Sequence, residues 1–91
     1  MALKEAVKDT IIRVAKEYGA RRLWLFGSSL DPSTDEPNDI DLAVEGIPPA
    51  RFFEFYAKLG RAIPNDIDLI DMESDDPMRH IVRDRGVILY E

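Results

Sequence analysis

The 91-residue chain has no cysteine, which leaves neither a disulfide framework nor a thiolate ligand or nucleophile. It has a single histidine, His80, and nothing places it with Ser28 in a nucleophilic triad. It also lacks a long apolar run. The start, Met1-Ala2-Leu3-Lys4-Glu5, interleaves acid and base, so neither a signal peptide nor a membrane span is expected. A cytoplasmic setting fits that composition. Basic charge is scarce as well: the formal net charge is −6, against a general nucleic-acid binder, which needs a basic face to release counterions. A nucleotide held through a cation is not excluded, because a bound cation inverts local electrostatics. Length and composition, 45% apolar with eight aromatic residues (4 Phe, 3 Tyr, 1 Trp), predict one domain over 1–91 with one core.

Basic residues are missing altogether from two acidic blocks. Residues 31–45 carry Asp31, Asp35, Glu36, Asp39, Asp41 and Glu45; residues 65–76 carry Asp66, Asp68, Asp71, Glu73, Asp75 and Asp76. These are twelve of the 18 acidic side chains, so the acid is concentrated rather than spread as a solvated surface. Each block contains an apolar run with carboxylates at alternate positions, Asp39-Ile40-Asp41-Leu42-Ala43-Val44 and Asp66-Ile67-Asp68-Leu69-Ile70. Alternate side chains of a strand share a face. Like charges that close repel, and a divalent cation is the usual neutraliser. An EF-hand loop starting at Asp31 is rejected: its sixth position is Glu36 where glycine is needed, and its twelfth is Leu42 where glutamate is needed.

Leu3, Ala6/Val7, Thr10/Ile11, Val14/Ala15 and Tyr18 recur at helical spacing before Gly19, which predicts a first helix. Arg22–Phe26 reads as a buried strand ended by Gly27, and Ser28–Asn38 as a turn-rich loop. A second strand is expected over Ile40–Val44. Pro48-Pro49 opens a second helix with Phe52, Phe55/Tyr56, Leu59 and Ile63 inward and Gly60 and Pro64 closing it. Its phenylalanines are expected in the core. A third strand covers Asp66–Met72. Ser74-Asp75-Asp76-Pro77 starts a third helix with Met78, Ile81 and Val82 inward and His80 outward, and Val87–Tyr90 forms a last strand. The order α-β-β-α-β-α-β predicts an α/β (α+β) fold with a small mixed sheet flanked by helices.

Gly27-Ser28 after a strand is by itself an ordinary turn, although glycine permits close approach of a ligand and neighbouring amides can present donors to an anion. A lone Asp-x-Asp is likewise an ordinary water-facing strand entry. Together, a phosphate grip, a loop and paired carboxylates make a metal–triphosphate site. The array Gly27-Ser28, ten residues, then Asp39-Ile40-Asp41 resembles the signature of the DNA polymerase beta-like nucleotidyltransferase superfamily. Ile67-Asp68-Leu69-Ile70 and Gly86-Val87-Ile88-Leu89-Tyr90 look like its minimal nucleotidyltransferase (MNT) branch.

The resemblance implies a nucleotidyltransferase fold with Asp39 and Asp41 as metal-binding carboxylates. Asp68 would be the third, helping to position or deprotonate an acceptor hydroxyl, and Gly27, Ser28 and Ser29 would grip phosphate. It further implies Mg2+ (one or two ions), a nucleoside triphosphate with ATP favoured, and in-line transfer of a nucleotidyl group with pyrophosphate leaving. A small helical HEPN-type protein is the implied partner, as in toxin–antitoxin pairs. Asp66 lies on the Asp68 face and competes for the third role. Asp68 is preferred because apolar residues flank it, whereas Asp66 follows Pro64-Asn65. Asp71 falls on the other face and is expected to be solvent-exposed. Family members often carry an arginine just after the glycine–serine pair; here Ser29-Leu30-Asp31 follow, and a substitute would have to come from Arg22, Arg79 or Arg83. Three rival functions follow: a transferase, a non-catalytic subunit that masks its partner, and a metal-dependent phosphodiesterase.

Overall fold

The computed structural model describes residues 3–30 and 39–91. The helical apolar spacing forms α1 over Glu5–Glu17, and the apolar run after Gly19 forms strand β1 over Arg22–Phe26. A short 3₁₀ turn, Gly27–Leu30, follows. Strand β2 spans Asp39–Glu45, α2 Pro49–Ala62, β3 Asp66–Asp71, α3 Arg79–Arg85 and β4 Val87–Tyr90. The expected order and the mixed sheet are both found. The strands lie side by side as β3-β2-β1-β4. β1 pairs antiparallel with β2 and β4, whereas β2 and β3 run parallel, as a helical crossover between them requires.

Alternation divides the sheet into two unequal faces. Leu23, Leu25, Ile40, Leu42, Val44 and Ile67 point to one side, where they join Ile11, Val14, Phe55 and Leu59 of α1 and α2 in the main core. Trp24, Phe26, Ala43, Ile70 and Met72 point to the other, under Val82 of α3. α3 is seven residues long and covers only part of that face.

Several expectations are corrected. Gly60 lies inside α2, which runs on to Ala62 because buried Leu59 and Ile63 hold its last turn against the core. Phe53 is 80% exposed, since it follows half-buried Phe52 around the helix and points away from Phe55; it is not a core residue. Met78 and Ile81 are also exposed, as two turns of helix bring only Val82 onto the sheet. Asp71 is half-buried rather than solvent-exposed, and its Oδ1 accepts the Glu73 amide at 2.9 Å. The start of α3 also comes later than expected, at Arg79 after Met78, with no side-chain cap. Asp76 Oδ1 accepts the Met78 amide at 2.9 Å, but the first turn closes with a 3.1 Å bond from Arg79 N to Asp76 O, the tighter i→i+3 pattern. His80 is exposed, as expected.

α1 and α2 are joined at their outer edges by polar contacts around an aromatic pair. Tyr18 and Phe55 meet at 5.5 Å between ring centroids. The Tyr18 hydroxyl donates to Glu54 Oε2 at 2.6 Å, and Arg51 donates to the same oxygen at 3.3 Å. The Arg51 guanidinium also lies 4.4 Å from the Tyr18 ring centroid, within cation–π range. Lys58 pairs with Glu17 at 2.5 Å. The Tyr18 hydrogen bond, with Arg51 adding to it, holds the Glu54 carboxyl below the usual glutamate range. The same bond raises the Tyr18 hydroxyl.

A carboxyl lowered on folding contributes stability above its unfolded value and loses it as pH falls through the folded one. Tyr18→Phe is therefore expected to lower the melting temperature at neutral pH. The gap to wild type should close in acid below the ordinary glutamate range. Thermal melts from pH 7 down to pH 3 check this; a gap constant across that range would place the effect in packing instead.

Candidate active site

The parallel register of β2 and β3 matches Asp39 with Asp66 and Asp41 with Asp68. Residues matched in a sheet project to the same face, so these four carboxylates form two rows on the side away from α1 and α2. Neighbouring strands are about 4.8 Å apart. Asp39, Asp66 and Asp68 are exposed and Asp41 is half-buried. They occupy the part of the face that α3 leaves uncovered, beyond the apolar patch of Ala43 and Ile70. Two like charges at about 4 Å repel by roughly 1 kcal/mol in water and about 4 kcal/mol at a protein surface. The open position of this patch keeps the acids near the lower figure.

The end of β1 closes the site. Phe26 is matched with Asp41 across the antiparallel pair, and the chain then turns at Gly27 with φ +70. A β-carbon built on Gly27 would overlap the Asp41 carboxylate oxygen, with Asp41 Cγ only 3.0 Å away. The glycine is thus required twice, for its backbone conformation and for the space that Asp41 fills. Sequence spacing pointed to a ligand at Gly27; its closeness to Asp41 had no signal there. Ser28 and Ser29 lie in the turn Gly27–Leu30, but their side chains are outside the described residues, as is the acidic segment 31–38.

Tyr56 was also missed. Its hydroxyl donates to the backbone carbonyl of Ile67 at 2.6 Å, between Asp66 and Asp68, and so pins the outer strand of the sheet to α2. Helical spacing placed Tyr56 with Phe55 in the inward stripe, but its ring is exposed, because only its hydroxyl is drawn in to the β3 backbone. Two of the candidate substitute arginines are engaged elsewhere. Arg22, at the far end of β1, faces Glu91 at 3.6 Å and lies 5.9 Å from the Trp24 ring centroid. Arg79 Nε donates to Asp76 O at 3.0 Å.

Among the described residues, no group of three or more histidine, cysteine, aspartate or glutamate side chains is drawn together as a ready metal cage. The donor set nevertheless fits magnesium, which takes oxygen ligands and is usually bound through one or two carboxylates, with substrate phosphates and waters completing the shell. Asp39 and Asp41, two residues apart on one strand face, supply that pair. An open concavity of about 320 Å³ lies elsewhere, lined by Arg21, Gly46, Pro48, Pro49, Asp71 and Glu73. There Glu73 is already engaged, accepting the Gly46 amide at 2.7 Å and facing Arg21 at 3.5 Å. That hollow sits at the opposite end of β2 from Asp39 and serves to close the turn rather than to hold the acids' ligand.

Residues 9–91 match the family described as polymerase beta nucleotidyltransferase. The chain belongs to that family. Solved structures agree on the fold. The toxin–antitoxin pair MntA-HepT is 24% identical, with a TM-score of 0.73 over 96% of this chain and 72% of that one. A toxin–antitoxin structure with AMP-PNP is 27% identical, with a TM-score of 0.75 over 91% of this chain and 72% of that one. A third is a tri-AMPylated Shewanella oneidensis HEPN toxin in complex with MNT antitoxin, 24% identical, with a TM-score of 0.74 over 97% of this chain and 72% of that one. No curated protein matches the chain. Among the described residues, no helix of this nucleotidyltransferase domain is long and apolar enough to cross a membrane.

The contact between Gly27 and Asp41 can be tested against a second glycine. Gly19 also has positive φ, +76, but a β-carbon there meets nothing within 4 Å. Gly19→Ala is expected to cost about 1–2 kcal/mol from conformation alone. Gly27→Ala should cost more, and combining it with Asp41→Ala should recover the excess, a coupling of about 0.5–3 kcal/mol. Urea unfolding of the single and double variants measures it; simple additivity would mean that Asp41 is not seated against Gly27.

Proposed function

We propose that this domain transfers a nucleotidyl group, adenylyl by preference, from a nucleoside triphosphate to a hydroxyl on a HEPN-type partner protein. The observation that carries the reading is the packing of Asp41 against Gly27, with Asp39 beside it on β2 and Asp68 level with it on β3. Family membership supports the reaction class. The relative solved with AMP-PNP supports a triphosphate substrate, and the AMPylated toxin bound to an MNT antitoxin supports adenylyl as the group and a protein as the acceptor.

In this reading Asp39 and Asp41 hold magnesium. The ion supplies charge neutralisation at the phosphates, which lets a polyanion approach an acidic face. The backbone of the turn at Gly27, Ser28 and Ser29 holds the distal phosphates. Asp68 lies on the outer strand, nearest an incoming acceptor, and takes the proton of its hydroxyl. The hydroxyl oxygen bonds to the α-phosphorus, the bond from that phosphorus to the bridging oxygen breaks, and pyrophosphate leaves with the electron pair. Asp66, level with Asp39, lies one row farther from Gly27 and is assigned no chemical step.

Asp39→Asn with Asp41→Asn is expected to reduce label transfer from ATP to the partner by at least about 10²-fold, with the melting temperature unchanged or raised as repulsion is relieved. Asp68→Asn should lower turnover by about 10²–10⁴-fold while nucleotide binding is retained. Full transfer by the double variant would overturn the reading. The second reading is a subunit that neutralises its partner only by covering it. It is favoured by one observation, the lack of a basic residue after Gly27-Ser28 until Arg51. A charge-assisted phosphate contact is worth about 1.5–3 kcal/mol. Unimpaired neutralisation of the partner by the double variant, with no label transferred by wild type, would select that second reading.

A further inference from the structure

The two sides of α2 differ in kind. Toward α1, Arg51, Glu54 and Lys58 are engaged with Tyr18, Glu17 and one another, and exposed Arg61 follows in the last turn. The side facing outward carries Ala50, Phe53, Tyr56, Ala57 and Gly60, all exposed. These fall within about a third of the helical circumference at 3.6 residues per turn. A strip of three turns without a charge is unusual in a chain whose residues are 33% charged. Phe53 stands 80% exposed at its centre. Burying such a side chain is worth about 1.5–3 kcal/mol, and exposed aromatics of this kind are the common anchors of protein interfaces.

The strip is tied to the acidic strand. Tyr56, one turn from Phe53, donates to Ile67 O at 2.6 Å, and the residues on either side of Ile67 are Asp66 and Asp68, both exposed. Asp66 and Asp68 project from the opposite face of β3, so an occupant of the strip meets carboxylates only where it reaches past the β3 edge. Among the described residues, the other exposed large apolar side chains are Met78 and Ile81 on or beside α3 and Val87 and Ile88 of β4; β4 lies three strands from β3, about 14 Å across the sheet, and follows Arg83 and Arg85 of α3 in the chain. The charge preceding it is of the opposite sign, and β4 does not adjoin Asp68.

We propose that the outer face of α2, with the bordering β3 edge, docks the acceptor protein through an apolar helix flanked by lysine or arginine. The docking itself stands on the surface. Its role in delivering a hydroxyl to Asp68 rests on the transferase reading above. The complementary charge fixes the direction of approach: the apolar contact seats on Phe53, and the basic flank reaches over Asp66 and Asp68 toward the uncovered carboxylate face.

The test uses the whole chain labelled with ¹⁵N and two 18-residue helical peptides with the same leucine–alanine face, one flanked by lysines and one by glutamates. The lysine peptide is expected to shift amide signals at Phe53, Tyr56, Ala57 and Asp66–Asp68. Phe53→Ser should weaken its binding at least tenfold with the melting temperature unchanged. The glutamate peptide should bind at least tenfold more weakly than the lysine peptide. Shifts elsewhere, no shift at millimolar lysine peptide, or equal binding of the two peptides would overturn the proposal. Self-association in sedimentation equilibrium that Phe53→Ser abolishes would assign the strip to a second copy of this chain and overturn it as well. No nucleotide is present in these measurements, so their failure leaves the transfer reaction standing, and a failure of transfer leaves the docking result standing.

Discussion

The constraint on which the rest depends is the register of β2 against β3. Ile40, Leu42, Val44, Ile67 and Leu69 face the core under α1 and α2, and their alternate neighbours are Asp39, Asp41, Asp66 and Asp68. Because the side-chain period is two, slipping either strand's facing by one residue would exchange these sets. Each buried aliphatic contributes about 1.5–3 kcal/mol, and each carboxylate forced into the core would cost several kcal/mol more. The repulsion between neighbouring acids on an open surface is smaller than either figure. The apolar face therefore dictates the acidic face: burial on one side places four like charges together on the other, against their own preference.

That arrangement explains why the site needs the end of β1. The carboxylates are set by strand pairing, and in the proposed reading a polyanion would lie over them. The antiparallel partner brings Phe26 level with Asp41, and the left-handed turn at Gly27 folds backbone directly against the Asp41 carboxylate. The turn backbone and the Asp41 carboxylate become neighbours through one residue without a side chain. The same crowding leaves Asp41 half-buried while Asp39 stays exposed, so the two carboxylates differ in environment although the sequence presents them as a symmetric pair.

Much of this was legible. Period-two and period-3.6 patterns placed every helix and strand in order, because each has one face that must be buried. The pairing of Gly27-Ser28 with Asp39-Ile40-Asp41 pointed to the family before any coordinate did. Features set by tertiary packing were not legible. Gly60 reads locally as a stop, but the anchors on either side of it, Leu59 and Ile63, hold the helix through it. Met78 and Ile81 have the character of core residues, yet a two-turn helix has room for only Val82 against the sheet. Phe53 reads as core with its neighbours Phe52 and Phe55, and only the placement of α2 reveals that it points outward. The Tyr56 bond to Ile67 joins residues whose partnership depends on how far α2 stands from β3, a quantity with no local signal.

α2 is the element through which these constraints meet. As the crossover between parallel strands it must lie on the core face, and Phe55 and Leu59 fix it there. Toward α1, Arg51, Glu54 and Lys58 are taken up in pairs. Toward β3 a single hydroxyl holds the edge strand, and that bond leaves the strand's acids exposed beside an uncharged helical surface. A sheet edge is ordinarily protected by charge or by cover; here the edge has both, acids on its open face and Tyr56 at its backbone. In the docking proposal, the residues that protect the edge against indiscriminate strand pairing are also those that would meet a basic partner. On that proposal, acid just past the β3 edge would disfavour other acidic surfaces, including that of a second copy at net charge −6, and favour a partner of opposite charge.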